Sequence, residues 1–158
     1  MSISDMIVVM KDGVVQQIGA PQEVYDNPVN LFVSMFLGTP PINVFDGKVT
    51  GGKLFIGSEA VLDVPGVKDQ PVTAAIRPEG FVLDENGPFT LNLSRVEVGR
   101  DTSVVSTHPN TRNVTIRSII PARNKVDRSA KTVRFSLLWE KVFLFDAETD
   151  LRIPFNGQ

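Results

Sequence analysis

Histidine occurs once, at His108, and cysteine not at all. Those two counts remove most side-chain chemistry. A Ser-His-Asp or Cys-His arrangement would have to run through His108, and neither a multi-histidine nor a thiolate metal site can be built. His108 lies in Thr107-His108-Pro109-Asn110-Thr111, a turn-rich stretch that predicts an exposed loop. The remaining acid–base candidates are carboxylates: Asp84 and Glu85, then Asp146, Glu148 and Asp150. General acid–base work needs two carboxyl groups in a cleft with unequal environments. Nothing around these residues points to a cleft, so they read as solvated loops. Asp12-Gly13 reads as a hairpin turn, not a metal ligand. Arg77 and Glu79 flank Pro78 at a strand end. They read equally as a contact between units of the chain and as an exposed Pro-driven turn. Trp139, Phe143 and Phe155 are the aromatic candidates for a surface that joins two copies.

The elements that must carry these residues change character along the chain. Ile7 to Met10, the turn Lys11-Asp12-Gly13, and Val14 to Ile18 predict a hairpin. Pro21 suits a first helical position, and Asn27-Pro28 reads as a second helix start, an N-cap followed by Pro at N1. Leu31, Phe32, Met35 and Phe36 recur at helical spacing and predict a buried stripe ending near Gly38. Thr39-Pro40-Pro41 then stops the helix and stiffens the connection.

After it, short strands alternate with turns. They are expected at 44–50, 53–56, 72–77, 81–84, 90–98, 103–107, 113–119, 132–137 and 142–145. Within 91–98 the apolar side passes from Leu91 and Leu93 to Val96 and Val98, which predicts a bulge or a strand bending between sheets. The polar, basic run 123–131 predicts a solvated loop. Many short strands with Gly-rich turns predict a sandwich or small barrel.

Composition bounds the partners. The 158 residues are 42% hydrophobic and carry a net charge of -2, enough for one ordinary core and without the excess that steers a chain to nucleic acid or a charged membrane surface. Small barrels that bind nucleic acid use aromatic platforms in a basic groove. Here the single Trp and inward-looking Phe residues predict no nucleic-acid partner. The longest apolar run is far shorter than the ~20 residues that span a bilayer, and the first residues lack a secretory pattern. A cytoplasmic protein is expected.

Asp5-Met6-Ile7-Val8-Val9-Met10-Lys11-Asp12-Gly13, with Gln17-Ile18-Gly19-Ala20-Pro21-Gln22-Glu23-Val24-Tyr25-Asp26-Asn27-Pro28, resembles the segment that closes the nucleotide-binding domain in the ATPase subunits of ABC importers, especially the sugar (maltose-type) branch. Asn30 to Val33 and Phe36 to Asn43 resemble the helix and linker that follow. Ala75-Ile76-Arg77-Pro78-Glu79-Gly80, Val96 to Thr102, and Leu144 to Ile153 resemble later segments of the same family. Asp150 stands where the family has a glycine, and Asp tolerates that left-handed turn better than most residues.

The resemblance implies a mainly β chain: residues 1–38 as the C-terminal end of the ATPase domain, 39–43 as a Pro-rich linker, and 44–158 as an OB-type, transport-associated barrel with regulatory and dimerisation roles. It implies a homodimer through this barrel, membrane-spanning permease subunits and regulatory proteins as partners, and a place at the inner face of the membrane. Met1 then reads as an internal start of a longer polypeptide.

A phosphate-binding loop G-x-x-x-x-G-K-[ST] does not occur in the sequence. Nor does an L-S-G-G-Q-type signature, and the resemblance places both upstream. No catalytic residue, metal or cofactor is therefore expected here, and no ATP hydrolysis. Bound ATP and magnesium belong to the upstream domain. The alternative is a barrel that binds a small oxyanion or sugar itself, as related transport-associated barrels do. No motif for that can be located.

Overall fold

A computed structural model describes residues 5–158. The chain opens with a hairpin, β1 (Ile7–Lys11) and β2 (Val14–Gly19). Asp12 and Gly13 both take positive φ, 52° and 78°, as a tight hairpin turn with right-handed strand twist requires. An extra residue in β2 shifts the register after Val9. One hairpin face buries Val9 against Val24 and Val33. The other pairs Val8 with Ile18 and Met10 with Val15, and all four are about half exposed.

Two helices of six residues follow, α1 (Pro21–Asp26) and α2 (Leu31–Phe36). Pro21 does begin α1. The second start lies at Asn30 rather than Asn27-Pro28: the Asn30 side chain accepts the Val33 N–H at 2.9 Å, while Asn27 terminates α1. Gln17 holds the connection between the helices, its amide donating to the Asn27 carbonyl and accepting from the Val29 N–H. The expected buried stripe is only partly so. Leu31, Val33 and Ser34 are buried, but Met35 and Phe36 are exposed. Ser34 faces inward, its hydroxyl donating to the Leu31 carbonyl and its own carbonyl accepting from Arg77.

The rest is mainly β and forms a nearly closed antiparallel, OB-type barrel. One sheet runs β13 (Arg152–Ile153), β12 (Val142–Asp146), β6 (Gln70–Ile76), β3 (Asn43–Thr50), β4 (Lys53–Ile56), β5 (Glu59–Asp63). The other runs β10 (Ile116–Ile120), β9 (Thr102–Thr107), β8 (Phe89–Val98), β11 (Thr132–Leu137), β7 (Phe81–Leu83). β5 and β13 were not anticipated, and β10 begins at Ile116 rather than 113.

Their inner faces share one core, in which Phe45 meets Phe89 edge-on at 5.3 Å and Phe81 meets Phe135 at 5.2 Å. The first sheet is covered on its outer face too, where Val44, Ala75, Phe143 and Phe145 pack with Ile42 and Leu31 of α2. That explains why Val142-Phe143-Leu144-Phe145 is apolar without alternation: both faces of β12 are buried. The expected bulge in β8 is present. Leu93 opposes Ser106 and Arg95 opposes Val105, leaving Ser94 unpaired. Beyond it Arg95 and Glu97 face solvent in an ion-pair network with Arg117.

The two sheets are stitched together by side-chain amides. Asn43 on β3 donates to the Arg117 carbonyl at 3.0 Å and accepts the Arg117 N–H at 3.0 Å. Asn113 reciprocates, accepting the Val44 N–H at 2.9 Å and donating to the Ile42 carbonyl at 3.1 Å. Each amide thus stands in for a stretch of strand, with one donor and one acceptor. Between them a backbone bridge joins Phe45 and Thr111. The sheets are also joined by the Glu59 carboxylate of β5, which accepts both the Thr90 N–H and its hydroxyl.

His108 corrects the sequence reading. It is half-buried, edge-on to Phe45 and Phe89, and its Nδ1 accepts the Asn110 N–H at 3.0 Å. Asn110 in turn joins β3 through its carbonyl, which accepts the Asp46 N–H. The imidazole therefore closes one end of the core instead of lying in a free loop. Asp150 adopts the left-handed turn, with φ 62°. The 123–131 run is a loop, mostly exposed.

Candidate functional site: the junction of helices and barrel

Arg77 leaves the end of β6 and points away from the barrel core. Its guanidinium donates through Nη1 to the Ser34 carbonyl at 2.9 Å and the Leu37 carbonyl at 3.0 Å, and through Nη2 to the Tyr25 carbonyl at 2.7 Å. These oxygens lie at the C-terminal ends of α2 and α1, where helical carbonyls have no partner of their own and carry partial negative charge. One cation thus caps two helices. It also lies 3.8 Å from the centre of the Tyr25 ring, a cation–π contact strengthened by exclusion of water. Arg77 is 1% exposed, so burial pulls its guanidinium below the ordinary value.

Glu79 sits two residues on, in the 3₁₀ turn Pro78–Gly80. Its carboxylate accepts the Tyr25 hydroxyl at 2.7 Å. Tyr25 is therefore held at both ends, by its ring and its hydroxyl. Its phenol is pushed up to about 12, first by burial and then by the hydrogen bond to Glu79 and that group's charge. Ionising it would place two anions against each other.

Arg152 of β13 works beside Arg77. It donates to the Pro28 carbonyl at 3.0 Å and to the Gln158 side chain at 3.0 Å. Both guanidinium groups lie against the Phe143 ring, at 4.7 Å for Arg152 and 5.4 Å for Arg77. The backbone joins as well: the Leu31 N–H donates to the Asp150 carbonyl, and the Arg152 N–H to the Val29 carbonyl. Asp150 is free to face this strand because Asp146 caps its turn, accepting the Glu148 and Thr149 N–H groups.

The structure brings Arg77, Glu79 and Phe143 together in this junction. Phe155 lies elsewhere, 3% exposed in the barrel core, and Phe143 is 1% exposed. Neither of these two rings is offered to a second copy. Trp139 is half-buried against the core, and its backbone carbonyl accepts from Gln158. Tyr25 and Arg152 were missed as site residues. Both stand in segments whose motifs were legible, but only the fold shows that those motifs meet.

Among the described residues no group of three acidic or histidine side chains is placed to hold a metal ion, and no helix is long and apolar enough to cross a membrane. A cleft of about 300 Å³ lies between Leu83 and the 125–134 segment. It mixes Lys125 and Arg134 with Glu85 and Asp127, so its charge favours neither sign.

No family model matches the chain. It is 30% identical over 153 residues to the sn-glycerol-3-phosphate import ATP-binding protein UgpC of Ruegeria sp., covering 97% of this chain and 43% of that protein. The protein of the same name from Jannaschia sp. is 31% identical over 160 residues, with the same shares covered. The ABC transporter ATP-binding protein YcjV of Escherichia coli is 32% identical over 166 residues, 97% of this chain and 45% of that protein. The chain spans less than half the length of these curated relatives. With fold, motifs and relatives in agreement, the chain belongs to the ATP-binding subunits of ABC importers, as part of their C-terminal portion.

Proposed function

We propose that this chain is the regulatory and dimerisation part of the ATP-binding subunit of a sugar-type ABC importer, acting at the cytoplasmic face of the membrane with permease subunits. In this reading residues 1–38 close the ATPase domain, 39–43 link, and 44–158 form the appended barrel. The observation that carries it is the contrast across the junction. The inner faces of the barrel share one core and α2 covers the outer face of its first sheet, whereas the hairpin turns Val8, Met10, Val15 and Ile18 outward while its other face rests on the helices. A barrel covered within the chain and fixed to an apolar, half-exposed hairpin fits a domain appended to an ATPase core.

The chain itself hydrolyses no ATP in this reading, since the loop that wraps phosphates is absent from the sequence. Light scattering over a concentration series tests the role. A stable dimer supports a joining surface carried by the barrel, with Trp139 the aromatic to substitute first. A strict monomer at high concentration moves the role to docking of regulatory proteins. Magnesium-dependent phosphate release above a buffer control would overturn the absence of turnover.

A further inference from the structure

Arg77 is a buried cation whose compensation is unusual. Among the described residues no carboxylate forms an ion pair with Arg77 or with Arg152. Glu79 and Asp26 act on Arg77 only from a distance, and burying a charge with no carboxylate in contact is costly unless dipoles replace water. Here they do: three carbonyls at two helix ends, and the faces of Tyr25 and Phe143. All three of those carbonyls come from the 25–37 segment, while the arginine belongs to the barrel. If the helices moved away, the guanidinium would lose the carbonyls and the Tyr25 face in one event. Such a contact resists partial opening.

We propose that Arg77 is a positioning residue that locks the hairpin–helix unit to the barrel as one rigid body, with Arg152 as the second fastening. The lock stands on this chain's own geometry. Its use rests on the reading above: a protein or second copy bound to the barrel would then act on the ATPase side through rotation of the whole unit.

Amide-resolved hydrogen exchange on the 158-residue chain tests the lock directly. The reporting amides are Leu31 and Arg152, which bond across the junction, and Asn27 and Ser34, which bond within the helical unit. Amides of β6 and β12 report the barrel. Arg77→Met is expected to speed exchange at the junction and helical amides by about ten-fold or more while the barrel amides hold their rates, the signature of one local unit opening alone. Arg77→Lys, which keeps the charge but not the fork of donors, falls between. Arg152→Gln gives a smaller change at the same amides and serves where Arg77→Met fails to fold.

Equal acceleration of barrel and helices would make Arg77 a general stabiliser and overturn the lock. So would helical exchange in the unaltered chain already as fast as in the variants. None of these rates depends on dimerisation, so a monomer in the scattering experiment leaves the lock standing.

Discussion

The hairpin and the barrel solve the same problem in opposite ways. Both are antiparallel β-structure with strands that leave backbone groups and apolar faces to cover. The barrel is covered within the chain: the Asn43 and Asn113 amides fill the seam between its sheets, Phe45, Phe89 and Phe135 are each fully buried, and α2 lies on the outer face of its first sheet. The hairpin covers one face with α1 and α2 and leaves the other apolar and open. A barrel covered within the chain and a hairpin left half open, with arginines between them, fit an appended domain.

Substitutions can break or sharpen that contrast. Phe45→Ala removes a ring at the centre of the barrel and should cost about 3–5 kcal/mol in thermal or denaturant unfolding. A loss below about 1 kcal/mol would mean that the barrel core is not what holds the chain. Asn43→Ala strands the Arg117 N–H and carbonyl at the seam, an expected loss of about 1–3 kcal/mol. Asn43→Asp should be no better, because its carboxylate cannot donate to the Ile76 and Arg117 carbonyls.

The junction has its own spectroscopic handle. Tyr25 is the single tyrosine of the chain. Its absorbance titration should have a midpoint near 12 and move down in Glu79→Gln, since Glu79 contributes to raising it. As the folded value lies above the ordinary 10, stability falls as pH rises from about 10 toward 12. An unchanged midpoint in the variant would separate Glu79 from Tyr25 in solution.

His108 gives a smaller effect, at the other end of the scale. Burial against the phenyl rings lowers its value below 6.5, with Glu59 opposing, and Nδ1 is already occupied by an N–H donor. A lowered folded value means that protonation favours the unfolded chain. Stability should therefore be unaffected above about pH 6.5 and decline as pH falls below it. His108→Gln should flatten that part of the melting-temperature profile. Least of all, Val8→Ser with Met10→Ser should leave stability within about 0.5 kcal/mol per site, as expected of exposed positions, while reducing binding of an apolar dye. A large loss there would show that the outer hairpin face is already covered.

Local features were legible in the sequence, and distant ones were not. The Asp12-Gly13 turn and the bulge at Ser94 follow from a few adjacent residues, and the left-handed Asp150 from the glycine that stands at its place in the resembling family. The start of α2 was misplaced by three residues because Asn27-Pro28 and Asn30 offer similar capping chemistry, and the choice is made by the Asn30 bond to Gln16 at 2.8 Å. Met35 and Phe36 have the right period for burial, but α2 buries Leu31 against the barrel and Val33 against the hairpin and α1, which leaves both of them exposed. His108 gave no local signal, since its neighbours are ring faces contributed from β3 and β8. Of the junction, Arg77 and Glu79 could be singled out from their motif. Their partner Tyr25 lies more than fifty positions away in sequence, beyond any pattern in a window.

The asparagine seam also dictates an order of assembly. Asn43 and Arg117 are 74 positions apart, and Asn113 and Ile42 are 71 apart. Closing loops of that length forfeits chain entropy before any bond repays it. The hairpins β4–β5 and β8–β9 join neighbours in sequence and bear no such cost. The barrel should therefore zip up from its hairpins, and the two amides should engage last, after the sheets have met. A chain still emerging from the ribosome can build β3 to β6, yet it cannot seal the barrel until residue 117 is free.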